Sequence, residues 1–313
     1  MTSTLPSPIN TEAVTIVEVA PRDGFQSIHQ FIDTEDKIKS LKMLYQAGFN
    51  RMEIGAFVSP KAIPQMADIE SLVRVIPKRF KNGAAVLVPN KKGAELAIQN
   101  GVKALVYVIS VSEAHNKNNV NRTVNESFAD LELLKTIPEI ENTHIRIDLS
   151  TCFDCPFEGL IAIEKVIDAA QRAIKIFPQA EIGICDTTGK AMPNHVSELF
   201  GRLREIIDFE SQRWAFHGHD TYGLGLVNVI QAYHSGVRTF DASASGLGGC
   251  PFAPGAKGNI ATEDLVWCLQ GMGIETNIDL QNLLVACDFV AKFDIESSGG
   301  RIRTLPRKLL AMN

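Results

Sequence analysis

QAGFNRMEI (46–54), QNGVKALVYV (99–108) and HSGVRTFDAS (234–243) share one device. In each, a glycine is followed by one apolar residue, one polar residue and a β-rich run. Glycine takes the left-handed position just past a helix end at no steric cost. The device is therefore an αβ joint, and its recurrence marks a repeating β/α unit.

Working outward from these joints, eight runs read as strands: 14–20, 50–56, 84–88, 104–110, 144–150, 181–187, 213–219 and 238–244. Most are apolar and rich in Val, Ile and Phe, as parallel strands covered on both faces should be. Eight strands alternating with helices favour a (β/α)8 TIM barrel in the α/β class, with an open doubly wound sheet as the alternative. No low-complexity linker interrupts the chain. The expectation is one domain over 1–313, with the barrel at about 14–280 and a C-terminal helical extension at about 281–313 packed outside it.

The 313 residues are 45% hydrophobic and 21% charged, with a net charge of −5. This is the composition of a soluble globular protein, and the acidic balance argues against a broad nucleic-acid surface. No apolar run approaches the roughly 18 residues of a membrane span, and neither terminus carries a targeting pattern, so a cytoplasmic location is the default. Cys152 and Cys155 form a C-x-x-C pair without a second half-site, so they read as ordinary thiols at a strand end.

In a barrel, chemistry gathers at the C-terminal strand ends. The first strand leads to Arg22 and Asp23, the sixth ends at Asp186 and Thr187, and the seventh carries His217 and His219. The eighth runs into a glycine-rich stretch with Cys250 and Asn259. His217 and His219 stand two apart and share a strand face. With Asp23 and Asn259 they would make an N2O2 site for a divalent cation, and ligand chemistry alone leaves Zn, Mn and Mg open. The bland alternative is a hydrogen-bonded polar strand end. Arg22 has a bland reading as a surface ion-pair partner of Asp23; if neighbouring side chains at the first strand end diverge instead, Arg22 is free to stabilise an oxyanion while Asp23 faces the ion. The stretch from Gly246 to Gly258 fails the dinucleotide and P-loop patterns and reads as a lid. A Cys250 thiol of ordinary pKa, about 8.5, would serve there as a general acid.

VEVAPRDGFQ, FVSPKAIPQMAD, HGHDTYG and GLGGCPFAPGAKGNIATEDL closely resemble the motifs of the 3-hydroxy-3-methylglutaryl-CoA lyase family, over nearly the whole chain. The resemblance implies a TIM barrel, Mg2+ or Mn2+, and cleavage of 3-hydroxy-3-methylglutaryl-CoA to acetoacetate and acetyl-CoA. By position it makes Asp23, His217, His219 and Asn259 the metal ligands, Arg22 the substrate-activating arginine and Cys250 the loop cysteine. Glu53, Glu263 and the strand-five Arg146 are expected, with Arg22, at the substrate. In the implied retro-aldol cleavage, His217 or Asp23 takes the hydroxyl proton and Cys250 protonates the enolate carbon. The expected partner is an acyl-CoA, without nucleic acid or membrane, and a homodimer is compatible with it. Phe25, Ala56 and Gly218 depart from the family pattern. Phe25 and Ala56 are expected near the acyl pocket, which brings in citramalyl-CoA or a longer-branched analogue as rival substrates. A keto-acid aldolase or condensing enzyme of the same barrel group also stays open, as does a silent metabolite-binding barrel.

Overall fold

The computed structural model describes residues 12–210, 212–249 and 258–310. Eight parallel strands close into a barrel: β1 (Thr15–Glu18), β2 (Met52–Ala56), β3 (Ala84–Val88), β4 (Ala104–Ser110), β5 (His144–Ser150), β6 (Glu181–Asp186), β7 (Arg213–Gly218) and β8 (Thr239–Ala242). Each strand pairs with its sequence neighbour, and β1 closes the ring on β8 with Thr15 opposite Thr239 and Glu18 opposite Ala242. The open-sheet alternative is thereby excluded.

The glycine joints close their helices as Schellman motifs. Helix α1 (Thr34–Gln46) ends with Gly48 N–H donating to Tyr45 O and Phe49 N–H to Leu44 O, at 3.2 and 3.3 Å. The same pair of bonds recurs around Gly101 and Gly236, and again around Gly273; all four glycines have positive φ. The residue after each glycine, Phe49, Val102, Val237 or Ile274, is buried, so the joint also pins the helix end to the barrel. A β-carbon at Gly48 would lie 2.4 Å from Asn277 O, so only glycine fits.

The outer helices bury one face each. In Ile163–Ile176 that face is Val166, Ile167, Ala169, Ala170 and Ala173, the spacing of an amphipathic helix. Fully burying each valine or isoleucine contributes about 1.5–3 kcal/mol. Beyond the barrel, Leu280–Val290 packs against α1 and against Thr262–Gly271, within the outer ring, with Leu283, Leu284, Ala286, Cys287 and Val290 buried. The chain then continues in short turns, and Phe293 packs edge-to-face on Phe25 with ring centroids 5.4 Å apart. Phe25 is fully buried in this seam. It fills the space between the first loop and the C-terminal segment.

TIM-barrel interiors are usually packed with branched aliphatic layers. This one is charged. Arg146 on β5 donates to Asp241 on β8 at 2.8 and 2.6 Å, and Arg51, just before β2, bonds Glu181 on β6 at 2.9 and 3.0 Å. None of these strands are neighbours, so the bonds cross the barrel. Gly183 makes room for them: a β-carbon there would fall 1.9 Å from Asp148 Oδ1.

Candidate metal centre and active site

Leaving β1, residues Ala20–Gly24 form one wide π-type turn, with the Asp23 and Gly24 amides both donating to Val19 O. Such turns recur at functional sites because they re-aim side chains. Here the turn places Arg22 and Asp23 side by side, and they are ion-paired. The divergence expected of a strand end does not occur, because the residues are not on a strand. Arg22 Nε also donates to Glu53 Oε2 on β2 at 2.5 Å. Its Nη2 is left without a hydrogen-bond partner among the described residues.

Asp23, His217 and His219 each offer a ligand atom, and these atoms lie within 4.8 Å of one another. Asn259 joins them: its Nδ2 donates to Asp23 Oδ2 at 2.7 Å and to Leu247 O at 3.0 Å, and its backbone bridges that of His219. All four expected ligands therefore meet at the C-terminal mouth. His217 Nδ1 bonds Asp241 Oδ2 at 3.0 Å, which leaves Nε2 as its ligand nitrogen. This is the carboxylate–histidine pairing that orients metal-binding imidazoles. Gly218, between the histidines, points the other way, toward Phe216 and Ile260.

The electrostatics suit a cation. Burial would raise the Asp23 pKa, but Arg22, both histidines and the Asn259 amide together bring it down to about 2. Burial and the neighbouring His217 lower His219 to about 4, so it is neutral at physiological pH. Its Nδ1 is buried without a hydrogen-bond partner. Burial also acts to lower His217, but the bond and charge of Asp241 outweigh it and hold the imidazole above its usual value. An unpartnered imidazole nitrogen and a carboxylate held ionised beside it fit a divalent cation.

The other expected residues fall elsewhere. Arg146, expected at the substrate, is 2% exposed, with Nε on Asp148 at 2.6 Å and both terminal nitrogens on Asp241. Its donors are committed within the barrel, so its reach is to His217 through Asp241. Glu263 is fully buried behind the mouth, accepting from Ser245 N at 3.0 Å and Cys287 Sγ at 3.2 Å. It anchors the exit of β8 to the C-terminal helices, and burial raises its pKa to about 7. Glu53 meets Arg22 directly. Cys250 and the centre of the lid, residues 250–257, lie outside the described residues. Cys152 and Cys155 are buried, with Sγ atoms donating to Leu149 O and Ser112 Oγ, both at 2.9 Å.

Two carboxylates, Asp241 and Glu18, escaped the sequence reading of the site, and a third, Asp186, was placed there without a role. Asp241 orients His217; its only signal was a carboxylate in mid-strand, between Phe240 and Ala242. Asp186, noted as a strand end, pairs in register with Gly218 between the histidines. Burial raises its pKa to about 7, its Oδ2 accepts from Ala191 N at 3.1 Å, and its buried Oδ1 has no partner. Glu18 Oε1 accepts from Ala20 N and Ala244 N, and Oε2 from Thr262 Oγ1, each at 2.8 Å. It ties the Arg22–Asp23 turn to the strand that precedes Asn259.

A family model described as HMGL-like matches residues 13–290. The chain belongs to the HMGL-like family. HMGL-like relatives include a hydroxymethylglutaryl-CoA lyase of Bacillus subtilis, 40% identical over 88% of this chain and 92% of its own length. An (R)-citramalyl-CoA lyase of Chloroflexus aurantiacus is 38% identical over 90% of each chain. Among solved structures, an HMG-CoA lyase from Acinetobacter baumannii in complex with coenzyme A and 3-methylmalate superposes with a TM-score of 0.85 at 37% identity, covering 93% of this chain and 94% of that one.

Proposed function

We propose that this HMGL-like chain is a carbon–carbon lyase that cleaves 3-hydroxy-3-methylglutaryl-CoA to acetoacetate and acetyl-CoA, with Mg2+ or Mn2+ at Asp23, His217, His219 and Asn259. The observation that carries the reading is the convergence of the first three of these within 4.8 Å, beside Arg22. A divalent ion bound there supplies the acidity of the substrate hydroxyl. The protein does the rest. Asp186, near neutrality and with one oxygen unpartnered, is better placed to accept the hydroxyl proton than His217, whose ring is held between Asp241 and the ligand position. Arg22 is fixed by Glu53 and Asp23 and offers Nη2 to the enolate oxygen that forms as the C2–C3 bond breaks. Cys250 is assigned the return of a proton to the enolate carbon. A cytoplasmic location and a single domain belong to the same reading.

The acyl group is the variable to test, because the citramalyl-CoA lyase matches nearly as well as the hydroxymethylglutaryl-CoA lyase. Acetyl-CoA release is measured from both thioesters with Mg2+, with Mn2+ and with chelator. The proposal expects cation-dependent release, faster from 3-hydroxy-3-methylglutaryl-CoA. Faster turnover of citramalyl-CoA would replace the substrate and keep the reaction. Release that ignores the chelator would remove the metal from the reading.

A further inference from the structure

The end of the barrel opposite the metal centre also holds a cavity, of about 550 Å3. It opens among the starts of the strands, with Arg51, Asn82, His144, Arg213, Arg238 and Thr239 in its wall. Arg213 and His144 also line a second cavity of about 640 Å3, so they stand on the ridge between the two. Three carboxylates reach the first cavity, and all are engaged. Glu181 takes Arg51 in a two-pronged pair, Glu12 takes Arg238 Nε at 2.8 Å, and Glu210 turns to Arg204 at 2.9 Å. Arg213 is exposed and has no carboxylate partner among the described residues. The pKa of His144 is lowered by burial first; Glu181 opposes this, and the charges of Arg51, Arg213 and Arg146 add to the lowering. Trp214, stacked on Phe209 at 5.0 Å, forms an apolar wall.

The geometry points to a second ligand site at this floor, for a small polyanion bearing a phosphate or several carboxylates, seated on Arg213 with Arg51 and Arg238 beside it. Arginine is suited to this, because its planar fork matches both kinds of oxyanion in a two-pronged contact. The site is separate from the mouth and shares no residue with the metal centre.

Trp214 lets the site report on itself. The chain has two tryptophans, so a Trp267→Phe background leaves Trp214 as the sole reporter. Inorganic phosphate and citrate are titrated separately into the full chain, following Trp214 fluorescence and heat. Saturable binding is expected for at least one, weakened about tenfold or more by Arg213→Ala, as for loss of one charge-assisted contact. Arg213→Lys, which keeps the charge and loses the fork, should bind more weakly than the parent and more tightly than Arg213→Ala, and the tighter of the two probes names the ligand class. Lys91 and Lys92 open the helix Lys91–Gln99 that follows β3, at the mouth end of the barrel. Three outcomes overturn the site: no saturable binding, equal affinity in Arg213→Ala, or a loss produced instead by Lys91→Ala with Lys92→Ala, which would place the anion at the mouth.

Discussion

Two clusters along the barrel axis could each hold a metal ion by distance alone. Asp23, His217 and His219 form the upper one, and Glu53, Asp148 and Asp241 the lower; in both, the ligand atoms lie within 4.8 Å of one another. They differ in their donor groups. The lower carboxylates meet Arg22 and Arg146, with contacts of 2.5 to 2.8 Å. Arg22 also pairs with Asp23, and Glu53 Oε1 in the lower cluster has no partner; what sets the upper cluster apart is two imidazoles, one with an unpartnered nitrogen and one oriented by a carboxylate behind it. Proximity of ligand atoms therefore does not define a metal centre. The lower cluster is three carboxylates knitted by two arginines, whereas the upper one mixes nitrogen and oxygen donors.

This contrast can be broken outright. Asp23→Asn should lower kcat by about a thousandfold or more, because several kcal/mol of metal-derived stabilisation go with the ion. Calorimetric Mn2+ binding should vanish with it. If Asp148→Asn abolished Mn2+ binding and Asp23→Asn did not, the two clusters would have been assigned the wrong way round. A finer cut is Asp241→Asn, which frees the His217 ring and should weaken Mn2+ binding about 10- to 100-fold. Next comes pH. His217 is held above its ordinary value by Asp241, and a proton on its ligand nitrogen excludes the ion. Mn2+ affinity should therefore rise with pH through the neutral range, by at most about tenfold per unit for one proton displaced. The rise should move to lower pH in Asp241→Asn, as a series of binding isotherms from pH 6 to 8 would reveal. The smallest effect belongs to the lower cluster. Gly183→Ala pushes a methyl onto Asp148 and should destabilise the fold by about 1–3 kcal/mol, read as a lower Tm, with Mn2+ affinity changed less than in Asp241→Asn.

The barrel was legible because its signals are local. Apolar runs mark the strands, and the glycines at 48, 101 and 236 announce helix ends whose hydrogen bonds span only a few residues. Asp23, His217 and His219 were legible as polar residues at strand ends. The interior was not. Arg146 meets Asp241 across 95 positions of sequence, and no short window contains that pairing. The ion pair of Arg22 and Asp23 was one of two readings open from sequence, and the π-type turn that decides for it has no distinctive composition.

The ring is fastened where its first strand meets its last. Asp23 lies just past β1, while Asn259, its partner 236 positions away, follows β8. Glu18 laces the same seam to Ala244 and Thr262. A chain still emerging from the ribosome thus lacks any place for the cation until the last strand has docked. Any free energy contributed by an ion bound there would go wholly to the fastened ring, so that under the proposed reading it would clasp the fold as well as serve the chemistry.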